Sequence, residues 1–107
     1  MKTTTITVEK QMIMEYIFYL CPMEITHDIN EKKAWTVKDG HTAYVEYEII
    51  EGAVDIIHTY VPQPLEGQGI ASELVKFVYD YALKQGLRVS ATCTYAARWL
   101  EKHPDYQ

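Results

Sequence analysis

The chain has 107 residues, 48% of them hydrophobic and 23% charged, with a formal net charge of −5. That is enough chain for one domain and one core, with no room for a second. The acidic balance excludes a nucleic-acid binder that relies on a basic footprint. The two cysteines, Cys21 and Cys93, lie too far apart for a local metal knuckle, and no metal is expected.

Near the start, MIMEYIFYL (Met12 to Leu20) is the apolar run that raises the question of a membrane. It carries Glu15 and is far shorter than the roughly 20 residues that a transmembrane helix needs. Glu9 and Lys10 precede it and no small-residue cleavage site follows, which argues against a signal peptide. It reads as a buried strand or short helix of a soluble protein, with Cys21 as a small apolar residue. Reduced thiols, a cytoplasmic location, a monomeric state and no membrane partner are expected.

From Glu24 onward short strands are expected. AWTVKDG ends in Asp39-Gly40, a hairpin signal, and TAYVEYEII alternates. Ala43, Val45, Tyr47 and Ile49 fall on one face, with Tyr44 and the solvated Glu46 and Glu48 on the other. Glu51-Gly52 is the next turn and AVDIIHTYV the next run, so residues 33–61 read as an antiparallel meander. After Pro62 and Pro64 the period changes. Ile70, Leu74, Phe77, Val78 and Tyr81 recur at helical spacing, with Gly86 as the stop. RVSATCTY is a further strand, and AARWLEKH a short helix stopped by Pro104. The long helix can serve as a crossover, which places the strands before and after it parallel. The fold class is α+β: a mixed, mostly antiparallel sheet, a helix entered through a glycine turn, and a short C-terminal helix.

LEGQGIAS (Leu65 to Ser72) spends two of the chain's five glycines at that helix start. A strand ending at Val61, a glycine turn and a helix beginning near Gln68 make a place for phosphate. The first helical N–H groups lack intrahelical partners, and the helix dipole adds positive potential. Gly67 and Gly69 let a pyrophosphate reach the backbone. No Lys-Ser/Thr follows, so a triphosphate loop is excluded, and Ala71 stands where a dinucleotide fingerprint has its third glycine. A tight turn that binds nothing is the alternative.

Gly67-Gln68-Gly69-Ile70-Ala71 after Val-Pro resembles the pyrophosphate loop of GNAT-type N-acetyltransferases. ITHDIN, HTYVP, LEGQGIAS, the Cys-x-Tyr at Cys93 to Tyr95 and WLEKHPDY resemble the very small stand-alone members of that superfamily. The resemblance runs from Glu24 to Tyr106. It implies a minimal acyl-CoA N-acyltransferase fold over residues 24–107, with residues 1–23 as an extension. It also implies acetyl-CoA as co-substrate and a small-molecule or peptide amine as acceptor. Gly67, Gln68, Gly69, Ile70, Ala71 and Ser72 would hold the coenzyme's phosphates, and the Val61 backbone its pantetheine amides. Two departures stand out. Glu66 occupies a position that is usually Arg or Gln, so it is expected to turn away from the phosphates. Asn30 to Lys33 leaves no room for the two helices that help form the acceptor site in larger relatives.

Cys93 ends a strand ahead of Thr94, the expected cap of the last helix. A helix N-terminus favours thiolate, which makes Cys93 a candidate nucleophile, and the resemblance assigns a catalytic role to the matching cysteine. A buried core cysteine is the alternative. His58 can take a proton from an amine or from Cys93, and the two are expected to face one cleft. Tyr95 is a candidate proton donor to the coenzyme thiolate. His27, His41 and His103 read as surface or hydrogen-bonded. The reading is an acetyl-CoA-dependent N-acetyltransferase; the alternatives are a non-catalytic coenzyme A binding domain and a plain structural module.

Overall fold

The structure, a computed structural model, describes residues 3–7 and 23–107. The apolar run Met12 to Leu20 and Cys21 lie outside them. Strands β1 (Thr3–Thr7) and β2 (Glu24–Asp28) pair antiparallel, so part of the segment ahead of Glu24 adds an edge strand to the sheet. After β2 the Asp28 carboxylate accepts the N–H groups of Asn30 and Glu31 at 3.0 and 3.1 Å. This side-chain-closed turn reverses the chain in a few residues and leaves no space for inserted helices.

Three strands follow as a meander: β3 (Lys33–Lys38), β4 (His41–Ile50) and β5 (Ala53–Tyr60). Asp39-Gly40 and Glu51-Gly52 join them with φ of 52° and 76°, and of 50° and 77°. Two consecutive positive φ values make the hairpin turn whose twist matches that of its strands. Helix α1 (Ile70–Lys84) then crosses to β6 (Arg88–Ala91), which pairs parallel with β5. The short helix α2 (Thr94–Lys102) and a 3-10 turn at Pro104–Tyr106 end the chain. The sheet order is β1-β2-β3-β4-β5-β6, and every pair but the last is antiparallel.

Several boundaries differ from expectation: β6 stops at Ala91 rather than running on to Tyr95, α2 begins at Thr94 rather than Ala96, and two more flank the proline segment. β5 ends at Tyr60 rather than Val61, and α1 starts at Ile70 rather than near Gln68. A 3-10 turn (Gln63–Leu65) lies between them, because Pro62 and Pro64 have no N–H for a ladder or a helix interior.

One face of the sheet packs against α1. Val45, Val54 and Ile56 meet Leu74, Val75, Val78 and Tyr79, all fully buried, at roughly 1.5–3 kcal/mol for each large aliphatic side chain. α2 closes this side: Tyr79 and Trp99 have ring centroids 5.8 Å apart, and the Trp99 indole N–H donates to the Ser72 hydroxyl at 2.9 Å. Ile49, expected among the inward residues, is 42% exposed, close to the Glu51-Gly52 turn.

His27 is buried on the helix side, with Phe77 and Tyr81 rings edge-on at 5.5 and 4.6 Å. Its Nε2 lies 2.6 Å from the Tyr47 hydroxyl. Burial pushes the His27 pKa down, partly offset by the Asp28 charge. Burial, with the Tyr81 and Asp28 charges, pushes that of Tyr47 up. The pair is therefore a Tyr47 hydroxyl donating to a neutral imidazole.

Candidate active site

β5 has two different neighbours along its length. Up to Ile56 it is held on both sides, pairing with Tyr47 of β4 and Ala91 of β6. Beyond Ile56 the parallel pairing stops. The N–H groups of Thr92 and Cys93 both bond the Ile56 carbonyl at 3.0 Å, and the chain turns directly into α2. Cys93 is therefore itself the N-cap residue and Thr94 the first helical one, a shift of one position from expectation. The Cys93 carbonyl accepts from Ala97 N–H at 2.9 Å.

At the same level β5 carries a bulge. Tyr47 pairs with Ile56 but Glu46 pairs with His58, so Ile57 is an extra residue. An inserted residue exchanges the faces of everything beyond it. Thr59 now faces the helix side, opposite the buried Val45, and the Cys93 thiol donates to its hydroxyl at 3.5 Å. His58 faces the other way, exposed, with its ring 5.7 Å from that of Tyr44. The expectation that Cys93 and His58 share one cleft is thus corrected: they lie on opposite faces of the sheet.

The turn that anchors Cys93 is pinned by a carboxylate that the sequence reading missed. Asp55, 7% exposed, accepts from the Ser90 and Thr92 hydroxyls, each at 2.7 Å. Tyr79 bonds the Ser90 carbonyl, and its own pKa is raised, first by burial and then by the Asp55 and Cys93 charges. A lone carboxylate within AVDII, a run of β-branched apolar residues, was the available signal, since a buried charge needs partners.

On the helix side, Val61, Leu65, Glu66, Gly67, Gly69, Ile70, Ala71, Ser72 and Tyr95 line a cleft of about 200 Å³. Seven of the eight residues expected to bind the coenzyme are thus gathered on one wall; the exception is Gln68. Gly67 and Gly69 have φ of 82° and 79°, a conformation that disfavours any side chain, with open space where a Cβ would stand. The first α1 bond runs from Glu73 N–H to the Gly69 carbonyl. The Ile70, Ala71 and Ser72 N–H groups ahead of it have no acceptor within the helix and are aligned with its dipole. Glu66 lines the cleft rather than standing clear of it. Gln68 instead bridges the Pro64 carbonyl (3.4 Å) and the Lys38 ammonium (2.7 Å). Lys38 is thereby held against the glycine turn from the β3–β4 hairpin, a cation that no local motif announced. Among the described residues no cluster of three or more His, Cys, Asp or Glu could hold a metal, and no helix is long and apolar enough to cross a membrane.

An antiparallel meander that ends in one parallel pair, with a glycine-turned helix crossing between the two strands of that pair, is the architecture of GNAT-type proteins. Residues 33–107 match the sequence family of GCN5-related N-acetyl-transferases. The chain belongs to that family. It is 32% identical to protein NATD1 of Gallus gallus over 88 residues, covering 78% of this chain and 79% of that one. To NATD1 of Bos taurus and of Homo sapiens it is 33% and 32% identical over 88 residues, covering 78% of this chain and 77% of each relative. The NMR structure of a GCN5-like protein from Staphylococcus aureus superposes with a TM-score of 0.65 at 32% identity, over 79% of this chain and 84% of that one.

Proposed function

We propose that the protein binds acetyl-CoA in the cleft at the α1 N-terminus and transfers the acetyl group to an amine. The observation that carries this is the convergence of the helix N–H groups of Ile70 to Ser72, both positive-φ glycines, Val61 and Tyr95 on one cleft. In this reading residues 24–107 are the transferase unit, with Thr3–Thr7 added at its edge. The amides take the pyrophosphate. Lys38, steered by Gln68, offsets Glu66 and supplies the positive charge that the loop itself lacks. The Val61 backbone aligns the pantetheine arm toward Cys93.

The amine nitrogen attacks the thioester carbonyl carbon, and the carbon–sulfur bond breaks. The proton lost by nitrogen goes to His58, directly or through water, from the outer face of the sheet. The coenzyme thiolate takes a proton from Tyr95 or from the Cys93 thiol on the helix side. Transfer is direct, in a ternary complex.

A second reading, a coenzyme A binding domain without turnover, is favoured by the closed turn at Asp28, which excludes helices around the acceptor. Two measurements separate the readings. Calorimetric titration with acetyl-CoA should show binding that Gly69→Val abolishes, since valine at φ 79° strains the turn that lines the cleft; unchanged affinity in that variant removes the loop from the site. Thiol release from acetyl-CoA with a panel of amines should then show turnover, and binding without release with any amine leaves the second reading.

A further inference from the structure

We propose that the outer face of the sheet around Tyr44 is the acceptor subsite, and that it takes a cationic alkylamine, an ammonium carried on a flexible chain; this rests on the acetyl-transfer reading above. Trp35, Tyr44 and Tyr60 pair in register as one rung across β3, β4 and β5. Lys33, Glu46 and His58 form the next rung. Directly paired residues share a face, so both rungs lie on the side away from α1. The Tyr44 ring lies 5.4 Å from that of Tyr60 and 5.7 Å from that of His58. Trp35 and Tyr44 are half-buried and Tyr60 is 45% exposed, so the row opens to solvent at its Tyr60 end.

The charge of the occupant follows from three observations. Aromatic faces carry negative potential and attract ammonium groups. One such group is already there, because the Lys33 Nζ sits 4.4 Å from the Tyr44 ring centroid. Glu46 on the His58 rung and Glu48 two residues along β4 add carboxylates to the same face, in a chain of net charge −5. The carboxylates disfavour an anionic acceptor, and a neutral one would gain apolar contact with the rings but not the cation–π attraction. The location fits as well. The row ends at Tyr60, whose chain neighbour Val61 lines the coenzyme cleft, and His58 stands next to the row as proton acceptor.

The test is an NMR titration of the full chain with tetramethylammonium and, separately, with the neutral tert-butanol, in the absence of coenzyme. Tetramethylammonium should shift the ring resonances of Trp35, Tyr44 and Tyr60, and tert-butanol should not. Tyr44→Leu and Tyr60→Leu should each weaken the response about two- to fivefold, the range for one exposed cation–π contact. Lys33→Met should strengthen it by a similar factor, because the resident ammonium then leaves the Tyr44 face free; a purely structural role for the ring does not predict that gain. In turnover with spermidine, Tyr60→Leu should raise KM by its binding factor and leave kcat unchanged. Equal responses to the cation and the alcohol, a loss of binding in Lys33→Met, or an unchanged spermidine KM in Tyr60→Leu would each overturn the proposal. Cation binding at these rings without any thiol release would overturn the transfer reading and leave the cation platform in place.

Discussion

The two halves of β5 differ in pairing and in burial. Ala53 to Ile56 is hydrogen-bonded on both sides and buried throughout, whereas Ile57 to Tyr60 has lost its parallel neighbour and is half-buried or exposed. The first half holds the fold together. The second half, with Val61, presents Thr59 to Cys93 on one face and His58 with Tyr60 to solvent on the other. Under the acetyl-transfer proposal, a single strand thus separates stability from chemistry along its length, and the division falls at the bulge. Substitutions in the first half should cost folding energy, and those around the second half should cost turnover.

The largest effect on stability is expected at Ile56→Ala, which removes a fully buried side chain beneath α1 and should cost about 2–5 kcal/mol in chemical denaturation. Asp55→Ala should cost about 1–3 kcal/mol by leaving the Ser90 and Thr92 hydroxyls without their acceptor. Because these bonds pin the turn that carries Cys93, Asp55→Ala should also slow alkylation or turnover at Cys93, which an isolated packing defect would not do. A loss of about 1 kcal/mol or less is expected for Cys93→Ala, whose thiol makes one long hydrogen bond to Thr59. Its turnover should nevertheless fall more than its affinity for acetyl-CoA; full activity in this variant would return Cys93 to packing alone.

The covered face offers a test by pH. The His27 pKa in the folded protein lies below its ordinary 6.5, so the unfolded chain binds more protons between those two values. The contribution of neutral, buried His27 is fully present above about pH 6.5 and is lost as the pH falls toward the folded-state pKa. Denaturation midpoints should therefore drop from pH 7.5 to pH 5.5, and His27→Gln should flatten that slope. An unchanged slope in His27→Gln would assign the pH dependence to other groups.

Much of the fold was legible because its turns are written in short, specific chemistry. Asp39-Gly40 and Glu51-Gly52 announce hairpins, Pro62 and Pro64 end the sheet run, and the change of period at Ile70 announces the helix. The glycine turn into α1 was legible for the same reason, but paired glycines alone fit a tight turn that binds nothing equally well, and it was the resemblance to the GNAT loop that pointed to a coenzyme. What the sequence did not show is the bulge at Ile57. AVDIIHTYV is apolar or β-branched at nearly every position, so alternation cannot mark an inserted residue. Without the insertion His58 would fall on the same face as Ile56 and could approach Cys93; with it, the faces exchange. Asp55 and Lys38 escaped for a related reason: their partners lie 35 and 30 residues away in the chain, at Ser90 and Gln68. Such partnerships are set by tertiary packing rather than by local pattern.

The two tryptophans stand on opposite sides of this sheet. Trp99 is bonded through its indole N–H to Ser72 on the wall of the cleft, and Trp35 belongs to the outer aromatic row. Each face of the sheet therefore has its own intrinsic fluorophore. In Trp35→Phe the remaining indole emission should change on addition of acetyl-CoA if it binds at the α1 N-terminus, and in Trp99→Phe on addition of an amine if it binds at the outer face. The order in which the two ligands bind becomes readable by stopped-flow fluorescence, with no label attached.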